Sequence, residues 1–230
     1  MNEAENEKDK IQKIIDMINQ IAGEHSVYEV FSDWVHCMAI SIQNSSVLQK
    51  EHNELYQQRE KDYKDIISRY TEEQQERFAE MTAYLVEKMQ EGFGDILGEI
   101  YMRCEMGSSH TGQFFTPFHI SVLNAELVMA GTLENYKSGK LHFHEPAAGA
   151  GGMIIAAAQV LTDHNISVRN MEVIAQDLDW QGVYMCYVQL SLYGISAVVV
   201  QGDTLQQPYD PKLTEPYRVL KTPAKMGVLV

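Results

Sequence analysis

The run at residues 144–155, HEPAAGAGGMII, constrains the fold of this chain more than any other feature. It follows a short apolar, strand-like stretch at 141–143 and opens into an apolar helical stretch at 153–161. A strand, a glycine-rich turn and a helix in that order form the opening unit of an open α/β sheet. The glycines let the backbone turn sharply and pass close to a nucleotide-type ligand, while the first N–H groups of the helix point at the anionic part of that ligand.

Two further strand ends follow at the matching distances. Residues 172–176, EVIAQ, read as a second strand ending at Asp177, about where the acidic residue that accepts ribose hydroxyls belongs, roughly 20–30 residues beyond the glycines. Asp179 is a second candidate for that role, but Asp177 follows the strand directly. Residues 197–201, AVVVQ, read as a third strand ending in Gly202-Asp203. A parallel sheet puts all three ends on one edge, where open α/β sheets bind their ligands.

Four blocks in chain order resemble the N6-adenine DNA methyltransferases, and most closely the modification subunits of type I restriction systems. Gly112-Gln113-Phe114-Phe115-Thr116-Pro117 resembles that family's GxFxTP motif, and Glu145-Pro146-Ala147-Ala148-Gly149-Ala150-Gly151-Gly152 its DPACGSGG loop. Ala175-Gln176-Asp177 resembles its GQE, and Gly202-Asp203-Thr204-Leu205 its GDTL. Each block alone is weak; the ordered set is specific.

The resemblance implies an α/β chain that binds S-adenosylmethionine. A helical N-terminal domain at 1–106 precedes a truncated doubly wound, Rossmann-like methyltransferase domain at 107–230. The resemblance also assigns parts of the pocket. Thr116 and the backbone of Phe115, leading into Pro117, would meet the methionine end. Glu145, Pro146, Ala147, Gly149 and Gly151 would form the loop beneath the cofactor. Asp177 would accept the ribose hydroxyls, Asp203 would accept the adenine amino group, and Leu178 and Leu205 would pack on the adenine faces. The chemistry is consistent in itself, because carboxylates suit hydroxyl and amine donors and a sulfonium cation is favoured beside acidic groups.

One element of the resemblance is missing. Active N6-adenine enzymes carry Asn/Asp-Pro-Pro-aromatic downstream of the GD block, and this sequence contains no Pro-Pro. That tetrapeptide hydrogen-bonds the target amino group and stacks on the flipped base, aligning nitrogen with methyl. No catalytic residue is therefore assigned. The reading is a cofactor-binding protein without methyl transfer as an isolated chain. The alternative is a subunit of an active adenine-N6 methyltransferase whose acceptor-binding residues come from another chain. After Leu205 come four prolines, Pro208 to Pro223, and residues 227–230 read as a fourth strand. A nicotinamide-dependent oxidoreductase fits poorly, because the third glycine of GxGxxG is replaced by Ile154 and the other blocks would be unexplained.

Charge bears on partners. The net charge is −14, and phosphate binding depends on Lys and Arg releasing counterions. DNA is thus expected only through a partner subunit, and a protein partner or a second copy is expected at the helical domain or at an exposed sheet edge. No apolar run reaches the roughly 18 residues of a membrane span, and the acidic start MNEAENEKDK is no secretory signal, so cytoplasmic residence is expected. Cys37, Cys104 and Cys186 are widely spaced and fit reduced, buried thiols better than a disulfide framework or a zinc site.

Along the chain, a charged and frayed start leads into an isoleucine stripe, Ile11, Ile14, Ile15, Ile18 and Ile21, at helical spacing. A second helix is expected at 27–42, with a break at 44–46. Further helices centre on Leu55 to Tyr70 and on Phe78 to Met89, the latter starting after Thr71. A turn at 91–94 precedes a helix ending near Cys104, and 106–110 reads as a linker. Pro117 opens a helix at 118–129 closed by Gly131, and 180–193 reads as a helix capped by Gly194. His142 and His144 share one strand face and suggest no metal site. Tyr184, Tyr187 and Tyr193 read as core packing, and Phe114 and Phe115 stand equally for cofactor contact and core.

Overall fold

The computed structural model describes residues 9–47, 53–106, 114–212 and 217–228. Residues 1–8, all of the expected linker at 106–110 except Met106, which is helical and buried, Gly112, Gln113 and the last two residues of the fourth-strand segment lie outside the described residues.

Five helices come first: α1 Lys10–Ile21, α2 Val27–Ser45, α3 Glu54–Ile67, α4 Glu72–Gln90 and α5 Ile96–Arg103. All five isoleucines of the α1 stripe are buried, each contributing about 2 kcal/mol of hydrophobic burial. Capping boxes start two of these helices, Ser26 with Glu29 at α2 and Thr71 with Gln74 at α4. The polar triplet at 44–46 does not break α2, which runs to Ser45; buried Asn44 donates from Nδ2 to Glu60 on α3 at 2.8 Å.

Helix α6, Phe118–Asn135, then leads into β1, Leu141–Glu145, with α7 at Gly152–Asp163, β2 at Met171–Asp177, α8 at Trp180–Leu192, β3 at Ala197–Gln201 and β4 at Val219–Lys221. The sheet order is β1-β2-β3-β4. The first three strands are parallel, as expected, with Glu145 opposite Ala175 and Asp177 opposite Gln201. β4 is antiparallel to β3, pairing Val200 with Val219, so the sheet is mixed. The fourth strand is therefore Val219–Lys221, and of the expected segment at 227–230 the described residues Gly227 and Val228 are not in a strand. Pro223–Met226 forms a 3-10 turn, and Gly227, at φ 74°, closes it in the left-handed region.

Helices α7 and α8 make successive crossovers in the same direction across the sheet, and right-handed crossovers put both on one face. β1 lies at the end of the sheet, paired only with β2 among the described residues. α6 packs along α7 through Ser121, Ala125 and Met129. It runs past Gly131 to Asn135, since an exposed glycine costs a helix only about 1 kcal/mol. Its outer side leaves Leu123, Leu127 and Val128 exposed.

The helical half and the sheet share one hydrophobic core. α2 lies against α8, and buried Phe31, Trp34, Tyr101 and Tyr187 belong to the same cluster as Val173, Val199 and Leu220. Tyr184 stacks between Trp180 and His36, at 5.2 and 4.2 Å between ring centres. His142 and His144 are exposed on β1. Among the described residues no helix is long and apolar enough to cross a membrane, and no cluster of His, Cys, Asp or Glu could hold a metal. All three cysteines are free. Burial pushes the Cys37 thiol up to about 12 and the Cys104 thiol to about 11.

Candidate functional site

The three parallel strands end on one edge, and the loop after β1 is pinned to the two strand ends beside it. Gly151 N–H donates to Ala148 O at 2.8 Å and closes the glycine turn, while Ala148 N–H donates to Gln176 O of β2 at 2.9 Å. Gly149 and Gly151 have φ of 51° and 94°, where an L side chain is strained. Space excludes a side chain as well. A Cβ on Gly149 would stand 2.8 Å from the Phe115 ring, and one on Gly151 would stand 3.2 Å from Cys186 Sγ.

Asp177 is the centre of this arrangement. Its carboxylate, on a residue only 8% exposed, accepts Gly149 N–H at 2.7 Å through Oδ2 and Asp179 N–H at 2.9 Å through Oδ1. Its backbone carbonyl accepts Gly202 N–H from the end of β3 at 2.8 Å. Gly182, on the first turn of α8, comes so close that a Cβ there would be 3.2 Å from the same carboxylate. Asp177 thus latches the glycine loop to the end of β2, a task that spacing alone did not reveal. Asp179 keeps Oδ2 buried and without a hydrogen-bond partner among the described residues.

The other expected site residues fall into two groups. Glu145 accepts Ala147 N–H at 3.2 Å, and burial raises its pKa against the lowering effect of that bond. Thr204 Oγ1 donates to Pro146 O at 2.6 Å, tying the fourth block to the loop. Asp203 Oδ1 accepts the N–H groups of Leu205 and Gln206, at 2.9 and 3.3 Å, and so holds its own turn. Phe115 lies against Gly149 and 5.2 Å from the Tyr101 ring. By contrast Phe114, Leu178 and Leu205 are exposed, Leu205 at 96%, and Thr116 and Pro117 are exposed at the entry to α6.

Carboxylates from three strand ends, Glu145, Asp177 and Asp203, therefore lie on the sheet edge that carries the glycine loop leading into α7. The helix N-terminus favours an anionic group, while the acidic side chains favour hydroxyl, amine and cationic groups. A zwitterionic nucleoside has both kinds of group.

The sequence profile described as N-6 DNA Methylase matches residues 88–223, more than half of the chain, and spans this entire site. The chain belongs to the N-6 DNA methylase family. No curated protein matches it. Among solved structures it is similar to a protein from Listeria monocytogenes described as a class I S-adenosylmethionine-dependent methyltransferase, with a TM-score of 0.50 and 13% identity over 89% of this chain and 56% of that one. It is also similar to the methyltransferase subunit of a type I restriction-modification system from Streptococcus thermophilus, with a TM-score of 0.45 and 11% identity over 90% and 60% of the two chains. The chain thus spans less than two thirds of either.

Membership in the N-6 DNA methylase family makes the latch intelligible, because the last three sequence blocks converge through hydrogen bonds between them and Phe115 of the first packs on Gly149. Several partners in that convergence carried no sequence signal. Gln176 Nε2 donates to Gln207 O and its Oε1 accepts Tyr209 N–H, at 2.8 and 3.0 Å, which folds the segment after β3 back over the sheet. Arg218 Nε donates to Gln201 O at 2.9 Å, and its guanidinium fills the space beside Gly202 where a Cβ would stand. A glutamine on a strand or an arginine after a proline-rich stretch has no local pattern to betray it.

Proposed function

We propose that this N-6 DNA methylase family member binds S-adenosylmethionine at the edge formed by the ends of β1, β2 and β3. The observation that carries the reading is the Asp177 latch, which holds a glycine turn open at the head of a helix with a second carboxylate, Asp179, beside it. Gly149 and Gly151 supply the left-handed backbone the turn needs, with Phe115 and Cys186 packed where a Cβ would stand, so the turn is held in one shape. Phe115 with Thr116 and Pro117, then Glu145, Pro146 and Ala147, would border the methionine end. Asp177 or Asp179 would take the ribose, Asp203 the adenine amino group, and exposed Leu178 and Leu205 would cover the adenine faces.

When bound, the cofactor supplies a methyl group activated by a sulfonium. This chain's residues orient it, and no Asn/Asp-Pro-Pro-aromatic lies among residues 204–230 to hold an acceptor amine in line. The function supported best is cofactor binding without transfer by the chain on its own. An adenine-N6 DNA methyltransferase assembled with a second polypeptide is the alternative, with DNA reached through that partner because the charge of −14 repels a duplex. The edge of β1, paired only with β2 among the described residues, and the exposed Leu123, Leu127 and Val128 of α6 are where we place a protein partner.

Calorimetric titration of the purified chain with S-adenosylmethionine and with NAD tests the reading. Binding of the first in the micromolar range and not of the second is the expected result. Equal binding of both, or of neither to a folded chain, refutes it. Methyl transfer to DNA by the isolated chain would refute the non-catalytic reading.

A further inference from the structure

The glycine loop is held not only by the sheet but also by the helical half of the chain, at two points. The first is a buried polar relay. Asp95 caps α5, its Oδ1 accepting Gly98 N–H at 3.0 Å. The same oxygen accepts Gln189 Nε2 of α8 at 2.8 Å, and Nε2 donates its other hydrogen to Ala150 O in the glycine loop at 2.8 Å. Gln189 Oε1 accepts Leu97 N–H at 3.1 Å, so this fully buried amide uses both donors and its acceptor. The second point is a ring contact: buried Tyr101 of α5 packs on Phe115, which packs on Gly149.

Two glycines make room for the relay. A Cβ on Gly98 would stand 2.2 Å from Asp95 Oδ2, and one on Gly152, the first residue of α7, would stand 2.9 Å from it. The carboxylate therefore lies against the first turns of both α5 and α7. A core that fills its volume with apolar side chains has no need of such an arrangement, and a half-satisfied version of it would be costly. The relay runs from the cap of one helix to the carbonyl between the two left-handed glycines.

We infer that Asp95 and Gln189 are positioning residues that hold the glycine loop in its ligand-accepting shape, so that cofactor affinity is set by α5 as well as by the loop. The inference rests on the cofactor reading above, and it predicts that the helical half is part of the binding machinery and not only a cover for the sheet. Without the Ala150 bond the turn at 148–151 is free to leave the shape fixed by Gly149 and Gly151, and the competent fraction falls.

The test uses the full chain with Gln189→Met, which keeps volume and removes the bonds, Asp95→Asn, which keeps an acceptor at the Oδ1 position, and Leu85→Ala in α4 as a remote destabilised control. Cofactor affinity is read by calorimetry, and hydrogen exchange is read at the Ala148, Gly149 and Gly151 amides. If the competent loop fraction falls to a tenth, Gln189→Met weakens binding about tenfold and deprotects these amides. Asp95→Asn stays near wild-type affinity, and Leu85→Ala, though less stable, leaves affinity unchanged. Gln189→Met with wild-type affinity and protection overturns the inference, as does equal weakening by Leu85→Ala.

Should Gln189→Met fail to fold, the wild-type chain decides: in rising urea the loop amides should lose protection together with those of α5, and a loop that opens while α5 stays protected overturns the inference. If the wild-type chain binds no cofactor yet loop and α5 open together, the relay stands and the cofactor reading falls.

Discussion

Replacing Asp177 separates holding the loop from holding a ligand. The carboxylate accepts two backbone N–H groups at 2.7 and 2.9 Å in a nearly closed site. Hydrogen bonds to a charged group contribute about 1.5–3 kcal/mol each, so Asp177→Ala should cost about 3–6 kcal/mol. Asp177→Asn keeps one acceptor and turns an NH2 toward the other donor, for about half that loss. At roughly 2–4 °C per kcal/mol for a chain of this size, the alanine variant should melt about 10 °C below wild type and the asparagine variant about 5 °C below. Thermal unfolding followed by circular dichroism reads this order. An alanine variant melting with wild type would show that the latch carries no weight. Affinity for the cofactor and for its 2′,3′-dideoxy analogue should then be measured in wild type and Asp177→Asn, well below both melting temperatures. If Asp177 accepts the ribose, loss of the hydroxyls weakens binding only in wild type; an equal loss in both assigns the ribose to another group, with Asp179 the first candidate.

Three other outcomes are expected. Gly151→Ala, at φ 94° and 3.2 Å from Cys186 Sγ, should destabilise the fold by about 1–3 kcal/mol in chemical denaturation and abolish cofactor binding. Bonds from Lys10 and Lys88 lower the Glu91 carboxylate to about 2. A depressed carboxylate stabilises above its unfolded pKa of about 4.5 and loses that contribution as pH falls toward 2, so NMR titration should find its midpoint near 2, and Lys88→Met should raise it. Leu127→Lys on the exposed side of α6 should leave stability within about 0.5 kcal/mol of wild type while reducing any self-association seen by sedimentation velocity.

The parts of this fold legible in sequence were those whose pattern is local. The α1 stripe, the Thr71 cap and the strand-turn-helix at 141–163 declare themselves within a dozen residues, and the three parallel strands followed from them. β4 did not, because three residues, VLK, carry no period, and its direction is decided by the chain folding back over Gln176. The site divides in the same way. Gly149, Gly151 and Asp177 were marked by spacing, whereas Asp95 and Gln189 look like ordinary polar residues of a cap and a helix face. What makes them internal is the packing of α5 on α8, a contact 94 residues apart in sequence. The latch itself was hidden for another reason: a carboxylate placed to meet a ligand and one placed to hold a loop have the same address in the sequence.

The strand order β1-β2-β3 is the order of synthesis, and this bears on how the chain acquires its shape. Each βα unit lays its strand beside one already in place, so the sheet grows in a single direction with short closures and no strand waiting for a distant partner. Such a sheet can form as the chain leaves the ribosome, with the latch closing once β2 has joined β1 and the fourth block arriving last to tie Thr204 to Pro146. Growth moves away from β1, which pairs only with β2 among the described residues, so any further neighbour of β1 would add from the side opposite to the growing one.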